Sequence, residues 1–189
     1  MIFEAKTVHL KTGEEAIFRA PQEADAPEVL AFLKKACGET EYLARYPEEV
    51  NFTVEGEWSY LKRTLDDPNG LMIVCTVDGK IAGNCELIFL SSLKQRHRAV
   101  LMIGLLQEYW GRGIGTAMFR EMIEVAQRRD GVHQLELEMI EGNDRALALY
   151  RKMGFEIMAE HPDAFLLKDG STRKAIYLRR ILRPFSEKT

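Results

Sequence analysis

The sequence predicts an α+β fold in which a mixed, mostly antiparallel central sheet carries helices on both faces. Two turn pairs, Asp78-Gly79 and Asp169-Gly170, each divide two β-rich runs, the pattern of a hairpin and so of antiparallel pairing. Apolar residues recur at helical spacing over residues 29–37 and 114–126, which marks amphipathic helices. The second of these helices stands between two strands that no hairpin turn joins, giving one βαβ crossover. No repeat, low-complexity tract or Pro/Ser-rich linker interrupts the 189 residues, so 1–189 is expected to form a single domain.

Residues 16–19 read as a short strand, closed by Pro21. A helix starts near Asp25-Ala26-Pro27, with an acid at the cap and proline in the first turn. Val29, Leu30, Leu33, Ala36 and Cys37 form its apolar stripe, and Gly38 ends it. A second helix over 55–65 turns Trp58, Leu61 and Leu65 inward and stops at Asp66-Asp67-Pro68-Asn69-Gly70. The first hairpin pairs 71–77 with 80–90, and a two-residue type I′ turn sets Cys75 opposite Ala82 and Cys85 opposite Met72. After a loop over 91–97, residues 99–106 are apolar on both faces and read as a central, fully covered strand. The third helix presents Ile114, Ala117, Met118, Met122, Val125 and Ala126 on one face. In the strand at 134–140, Leu135, Leu137 and Met139 point one way and Glu136 and Glu138 the other. A helix over 143–153 ends at Gly154, and the Asp169-Gly170 hairpin completes the sheet.

Composition removes several functions. Lys and Arg total 26 against 29 Asp and Glu, a formal charge of −3, so no basic excess drives nucleic-acid binding. Cys37, Cys75 and Cys85 are odd in number and lack CxxC spacing, which argues against a disulfide framework or a zinc ribbon, and no metal is expected. Reduced, buried thiols fit a cytoplasmic setting. Met1 to Lys6 carries an early acid and no long apolar core, so it does not read as a signal peptide. The longest apolar stretch, 100–106, is seven residues long, far below the ~18–20 that span a bilayer, and no membrane is expected.

The chemistry concentrates at Tyr109-Trp110-Gly111-Arg112-Gly113-Ile114-Gly115-Thr116, between an apolar strand and a helix. Glycines there let a ligand approach the backbone, and the first helical turn offers unpaired N–H groups with a partial positive charge. Such a place binds phosphate. No Gly-Lys-Ser/Thr follows, which excludes a Walker loop, and Thr116 stands where a GxGxxG dinucleotide loop needs its third glycine. A dinucleotide fold would also place the loop after its first strand.

Arg112-Gly113-Ile114-Gly115, followed some thirty residues on by Asn143-Asp144-Arg145-Ala146-Leu147-Ala148-Leu149-Tyr150-Arg151-Lys152-Met153-Gly154-Phe155, resembles the GNAT superfamily of N-acetyltransferases. The likeness covers roughly residues 79–180; Trp110 departs from it, standing where Gln or Arg is common. The resemblance implies the acyl-CoA N-acyltransferase fold, with a splayed parallel strand pair, and direct transfer of an acetyl group from acetyl-CoA to a primary amine. It implies that main-chain groups of Leu105, Leu106 and Gln107 pair with the pantetheine arm. The amides of Arg112, Gly113, Ile114, Gly115 and Thr116 would cradle the pyrophosphate. Asn143 would contact the cofactor or simply cap its helix. Tyr150, two helical turns later, would protonate the departing thiolate or pack on the sheet. Members often dimerise, which leaves a homodimer open, and a non-catalytic acyl-CoA-binding module is the competing reading.

The acceptor must lose a proton. A lysine-like amine of pKa ~10.4 is neutral in roughly one molecule in 2,500 at pH 7. Many relatives place a Glu early on the strand before the loop, whereas residues 98–103 here contain no acid. Glu86, between apolar Cys85 and Leu87, is the first candidate base, acting directly or through water, and Glu138 the second. His97 and His133 fall in turns and read as surface residues. The rival is an acceptor whose own pKa is low, as for an α-amino group at about 7.7–8.0.

Overall fold

The computed structural model describes residues 1–184. The chain runs β1 (Lys6–His9), β2 (Glu15–Arg19), α1 (Ala26–Glu39), α2 (Val54–Asp66), β3 (Gly70–Val77), β4 (Lys80–Phe89), β5 (Arg98–Leu105), α3 (Ile114–Arg128), β6 (Gln134–Ile140), α4 (Asp144–Lys152), β7 (Glu156–Leu166) and β8 (Thr172–Ile181). Eight strands hydrogen-bond in the order β1-β2-β3-β4-β5-β6-β8-β7, the mixed, mostly antiparallel sheet that was expected. The parallel pair is β5–β6, joined over 98–100 and 134–136, while β6 continues beside β8 to Ile140.

The chain forms two compact units. The first comprises Met1–Ile88 and Ile103–Met118, the second Phe89–Met102 and the chain from Phe119 onward.

In the first unit, Asp78 (φ 49°) and Gly79 (φ 76°) both take the left-handed conformation that a type I′ turn demands, and β3 and β4 diverge from it as a hairpin. Their register differs from the expected one. A bulge at Cys75/Thr76 inserts Ala82, so Cys75 faces Gly83 and Cys85 faces Ile73. Gly83 sits there because a Cβ would lie 2.6 Å from the Gly104 carbonyl oxygen and closer still to a Leu105 methyl. Only glycine fits that approach. All of β3 is buried, as its unbroken apolar run requires.

Four further expectations need correction in this unit. Strand β1 is an addition to the expected elements: Lys6–His9 has little apolar content and is an exposed edge strand. Helix α1 passes through Gly38 to Glu39, and its stripe uses Phe32, with Leu30 and Leu33 half-buried. Asp25 makes no side-chain cap; its carboxylate accepts from Arg19 (2.6 and 2.8 Å) and the Gln22 amide (2.6 Å). Helix α2 buries Glu57, Leu61 and Thr64, leaving Trp58 and Leu65 half-buried. Each fully buried side chain such as Leu61, Ile73 or Leu87 contributes about 1.5–3 kcal/mol.

Strand β5 is less covered than expected, since Met102 is 46% exposed. In the second unit, Phe119, Met122 and Ala126 of α3 are buried. Phe119 meets Tyr150 at 5.4 Å and Phe155 edge-on at 5.7 Å. Glu136 shares a face of β6 with exposed Glu138 but is buried, and the Arg98 guanidinium beside it donates two hydrogen bonds to its carboxylate, one of 2.6 Å. A buried carboxylate requires such a partner.

Candidate active site

The glycine loop belongs to the first unit. The chain leaves β5 at Leu105, makes a short turn over Gln107–Tyr109 and enters α3 at Ile114. Leu106 N–H donates to the Ala82 carbonyl at 3.0 Å. Gln107 N–H donates to Glu39 Oε2 at 2.7 Å, and its side-chain amide donates to the Glu39 carbonyl. The Trp110 indole N–H donates to the Leu105 carbonyl at 3.0 Å, which gives this departure from the family pattern a role in fixing the turn.

The side chain of Arg112 is a brace. It donates to both oxygens of Glu14 (2.7 and 2.8 Å) and to the Glu108 carbonyl (2.7 Å), and it lies over the Tyr109 ring at 5.0 Å. The loop therefore presents its backbone. Gly113 adopts φ +97°, and a Cβ there would meet the Lys11 side chain at 3.5 Å. Ala117 N–H makes the bond to the Gly113 carbonyl (3.0 Å), so the N–H groups of Ile114, Gly115 and Thr116 lie ahead of it at the positive end of the helix. Ile114 is 1% exposed and anchors this turn in the core. Lys11 N–H bonds the Arg112 carbonyl (3.2 Å), so the β1–β2 turn carries a lysine to the same loop. These features suit a phosphate: open N–H groups, a cradle that a side chain would fill, and an adjacent cation.

Asn143 and Tyr150 belong to the second unit. Asn143 caps α4, its Oδ1 accepting from Ala146 N–H at 3.1 Å, while its side-chain N–H groups keep no partner among the described residues. Tyr150 is 8% exposed against Phe119 and Phe155, and burial pushes its phenol up to about 12. The hydroxyl thus keeps its proton near neutrality.

A second polar cluster in the first unit was only partly legible. Glu86 is 7% exposed, and the Tyr60 hydroxyl donates to it at 2.7 Å. Burial raises the Glu86 carboxyl, against hydrogen bonds from Tyr60 and Thr64 and the charge of Arg63, which lower it. Asn84, two residues away on the same face of β4, lies with Phe32 against Gly104. Glu57 is 5% exposed, one turn before Tyr60 on α2, and burial raises its carboxyl while Arg45 lowers it. Its spacing from Leu61 and Thr64 is the signal that could have placed it inward.

Glu138 is exposed beside the Tyr177 hydroxyl, which its charge and hydrogen bond hold above the ordinary phenol range. His97 and His133 are half-buried, not surface residues: the His97 carbonyl accepts from His133 N–H (2.8 Å), and His133 Nδ1 lies 3.2 Å from the Arg183 carbonyl. Cys37, Cys75 and Cys85 are free and buried, and burial pushes all three thiols up, Cys75 to about 12. Among the described residues no group of three metal-ligating side chains occurs, and no helix is long and apolar enough to cross a membrane.

Comparison with known proteins places residues 37–155 within the profile of the family described as Acetyltransferase (GNAT) family. The chain is 28% identical over 120 residues to the L-amino acid N-acetyltransferase AaaT of Escherichia coli K12, covering 64% of this chain and 74% of that protein. It is 35% identical over 94 residues to the N-alpha-acetyltransferase RimI of Mycobacterium tuberculosis H37Rv, covering 50% of this chain and 57% of that one. Its fold superposes on the crystal structure of a GNAT-family acetyltransferase from Streptococcus pneumoniae with a TM-score of 0.82 and 25% identity, covering 88% of this chain and 99% of that one.

Proposed function

The chain belongs to the acetyltransferase (GNAT) family of acetyl-CoA-dependent enzymes, and we propose that its two units act as one N-acetyltransferase domain over residues 1–189. The observation that carries this is the head of α3, where Gly113 opens a cradle of N–H groups beside Lys11. The matched region, 37–155, draws on both units, which supports treating them as one domain.

Acetyl-CoA supplies a thioester carbonyl open to attack by an amine. The backbone from Arg112 to Thr116 holds its pyrophosphate, and Lys11 adds a positive charge there. Leu105, Leu106 and Gln107 are assigned to the pantetheine arm. Leu106 N–H is held by the Ala82 carbonyl and Gln107 N–H by the Glu39 carboxylate, so for either N–H to take part its present acceptor must first release it. Asn143 caps α4 and offers its side-chain N–H groups to the same ligand. Tyr150 donates toward the departing sulfur. A cytoplasmic setting, supported by the free thiols, and a homodimer, supported by the resemblance, complete the proposal; sedimentation velocity checks the latter.

Glu86 is the proposed base, taking the acceptor's proton directly or through water. Burial brings its pKa toward the working pH, and Tyr60 fixes its orientation. Glu86→Gln keeps an acceptor for the Tyr60 hydroxyl. It should lower kcat/KM by about tenfold or more and flatten the limb on which activity rises with pH. Stability should move the other way. A carboxyl raised in the folded state is most favourable below its unfolded pKa, and its contribution is lost as pH rises through the folded value. The Gln variant avoids that loss, so its melting temperature at pH 7 should equal or exceed the wild type's. Full activity in Glu86→Gln, with a pH limb that follows each substrate's own pKa, assigns deprotonation to the acceptor instead. Calorimetric binding of acetyl-CoA with no turnover across an amine panel would reduce the chain to a binding module.

A further inference from the structure

We propose that Glu57 holds a second, non-reacting ammonium of the acceptor, which makes the acceptor an aliphatic diamine or polyamine. The inference rests on the N-acetyltransferase reading above and names its substrate class.

Glu57 is 5% exposed, yet its carboxylate makes no hydrogen bond or ion pair within the described residues. Arg45 is near enough for its charge to be felt, but it does not bridge, and its guanidinium lies over the Phe52 ring at 5.6 Å. No side-chain oxygen or nitrogen among the described residues is both sealed from solvent and unpaired. The Glu57 oxygens therefore reach solvent through the small part of the residue that stays open. A carboxylate so enclosed gains most from a cation that arrives with its own N–H groups.

The surroundings point the same way. Glu57 lies one helical turn before Tyr60, whose hydroxyl bonds Glu86, so the two carboxylates flank one phenol. Glu86 is taken up with the reacting nitrogen, which must be neutral when it attacks. Glu57 is left for a nitrogen that stays charged. Between residues 39 and 60 six side chains are acidic and Arg45 alone is basic, with Lys62 and Arg63 next along α2, so the stretch is net negative. The Arg63 guanidinium lies 5.5 Å over the Tyr60 ring, and its charge is felt by Glu86.

The test compares 1,4-diaminobutane with n-butylamine as acceptors for the full chain with acetyl-CoA. They share the four-carbon chain and a primary amine and differ in the second, charged nitrogen. Wild type should favour the diamine in kcat/KM by about tenfold or more, the value of one charge-assisted hydrogen bond. Glu57→Gln should bring that ratio close to one by raising the diamine's KM. Should Glu57→Gln not fold, as its circular dichroism would reveal, N,N,N′,N′-tetramethyl-1,4-diaminobutane tests the wild type. It carries both charges, offers no acetylatable N–H and should inhibit n-butylamine turnover competitively. A wild-type ratio near one, a ratio unmoved by Glu57→Gln, or no inhibition overturns the proposal. Acetylation of no amine at all, with acetyl-CoA still bound, overturns the enzymatic reading as well, so the two failures are told apart.

Discussion

Gly113→Val is expected to abolish the rise in melting temperature that acetyl-CoA gives the wild-type chain. At a hundred times its Kd a ligand stabilises the folded state by about 2.7 kcal/mol, a shift that thermal denaturation resolves easily. Gly113 has φ +97°, where a β-branched residue is strained by about 1–3 kcal/mol. The added side chain also starts 3.5 Å from the Lys11 stem, within the loop proposed to hold the phosphate. Two effects follow and are separable. Without ligand the variant melts several degrees lower, because the strain is present in the free protein. With ligand the further rise is missing, because the cradle is filled. A variant that melts lower but still gains the normal increment would remove this loop from the binding site.

Tyr150→Phe should lower kcat by about 10²–10³-fold while leaving the affinity for acetyl-CoA nearly unchanged, the effect of removing one donor to a developing negative charge. A phenol at about 12 is protonated across the working range of an enzyme. Complete transfer of its proton to a thiolate of pKa ~8.5 is uphill by roughly 5 kcal/mol, so in the proposed role the hydroxyl would act chiefly by hydrogen-bonding the sulfur as charge develops. The ring stays packed between Phe119 and Phe155, and the hydroxyl has no partner among the described residues to lose. Stability should therefore change little. Stopped-flow or steady-state rates beside calorimetric affinities check the split, and unchanged turnover would leave Tyr150 a packing residue.

What the sequence made legible was local. Asp78-Gly79 specifies its turn through two left-handed residues, and the strand starts follow at once. The register was not legible, because the bulge at Cys75/Thr76 answers to Gly83 meeting Gly104 and Leu105, residues on a later strand. Edge strand β1 carries too little apolar alternation to be seen, and with it went Lys11, which reaches the glycine loop from the turn that follows. The loop itself stood out because glycines in alternation before an amphipathic helix have few other uses. Glu57 and Tyr60 did not, since an acid in a weakly patterned helix looks solvated until Leu61 and Thr64 fix which face is inward. Arg112 could be placed in the loop but not aimed; Glu14 takes its guanidinium from the far end of a hairpin.

The three enclosed thiols constrain the order of events during turnover. A cysteine relay would need an accessible sulfur that ionises readily, and Cys37, Cys75 and Cys85 are buried and held protonated. With no thiol placed to store the acetyl group, donor and acceptor are expected to occupy the protein together. Double-reciprocal plots of initial velocity at several fixed acceptor concentrations should then intersect, where a ping-pong relay would give parallel lines. Alkylating reagents that spare lysine should leave the folded enzyme active.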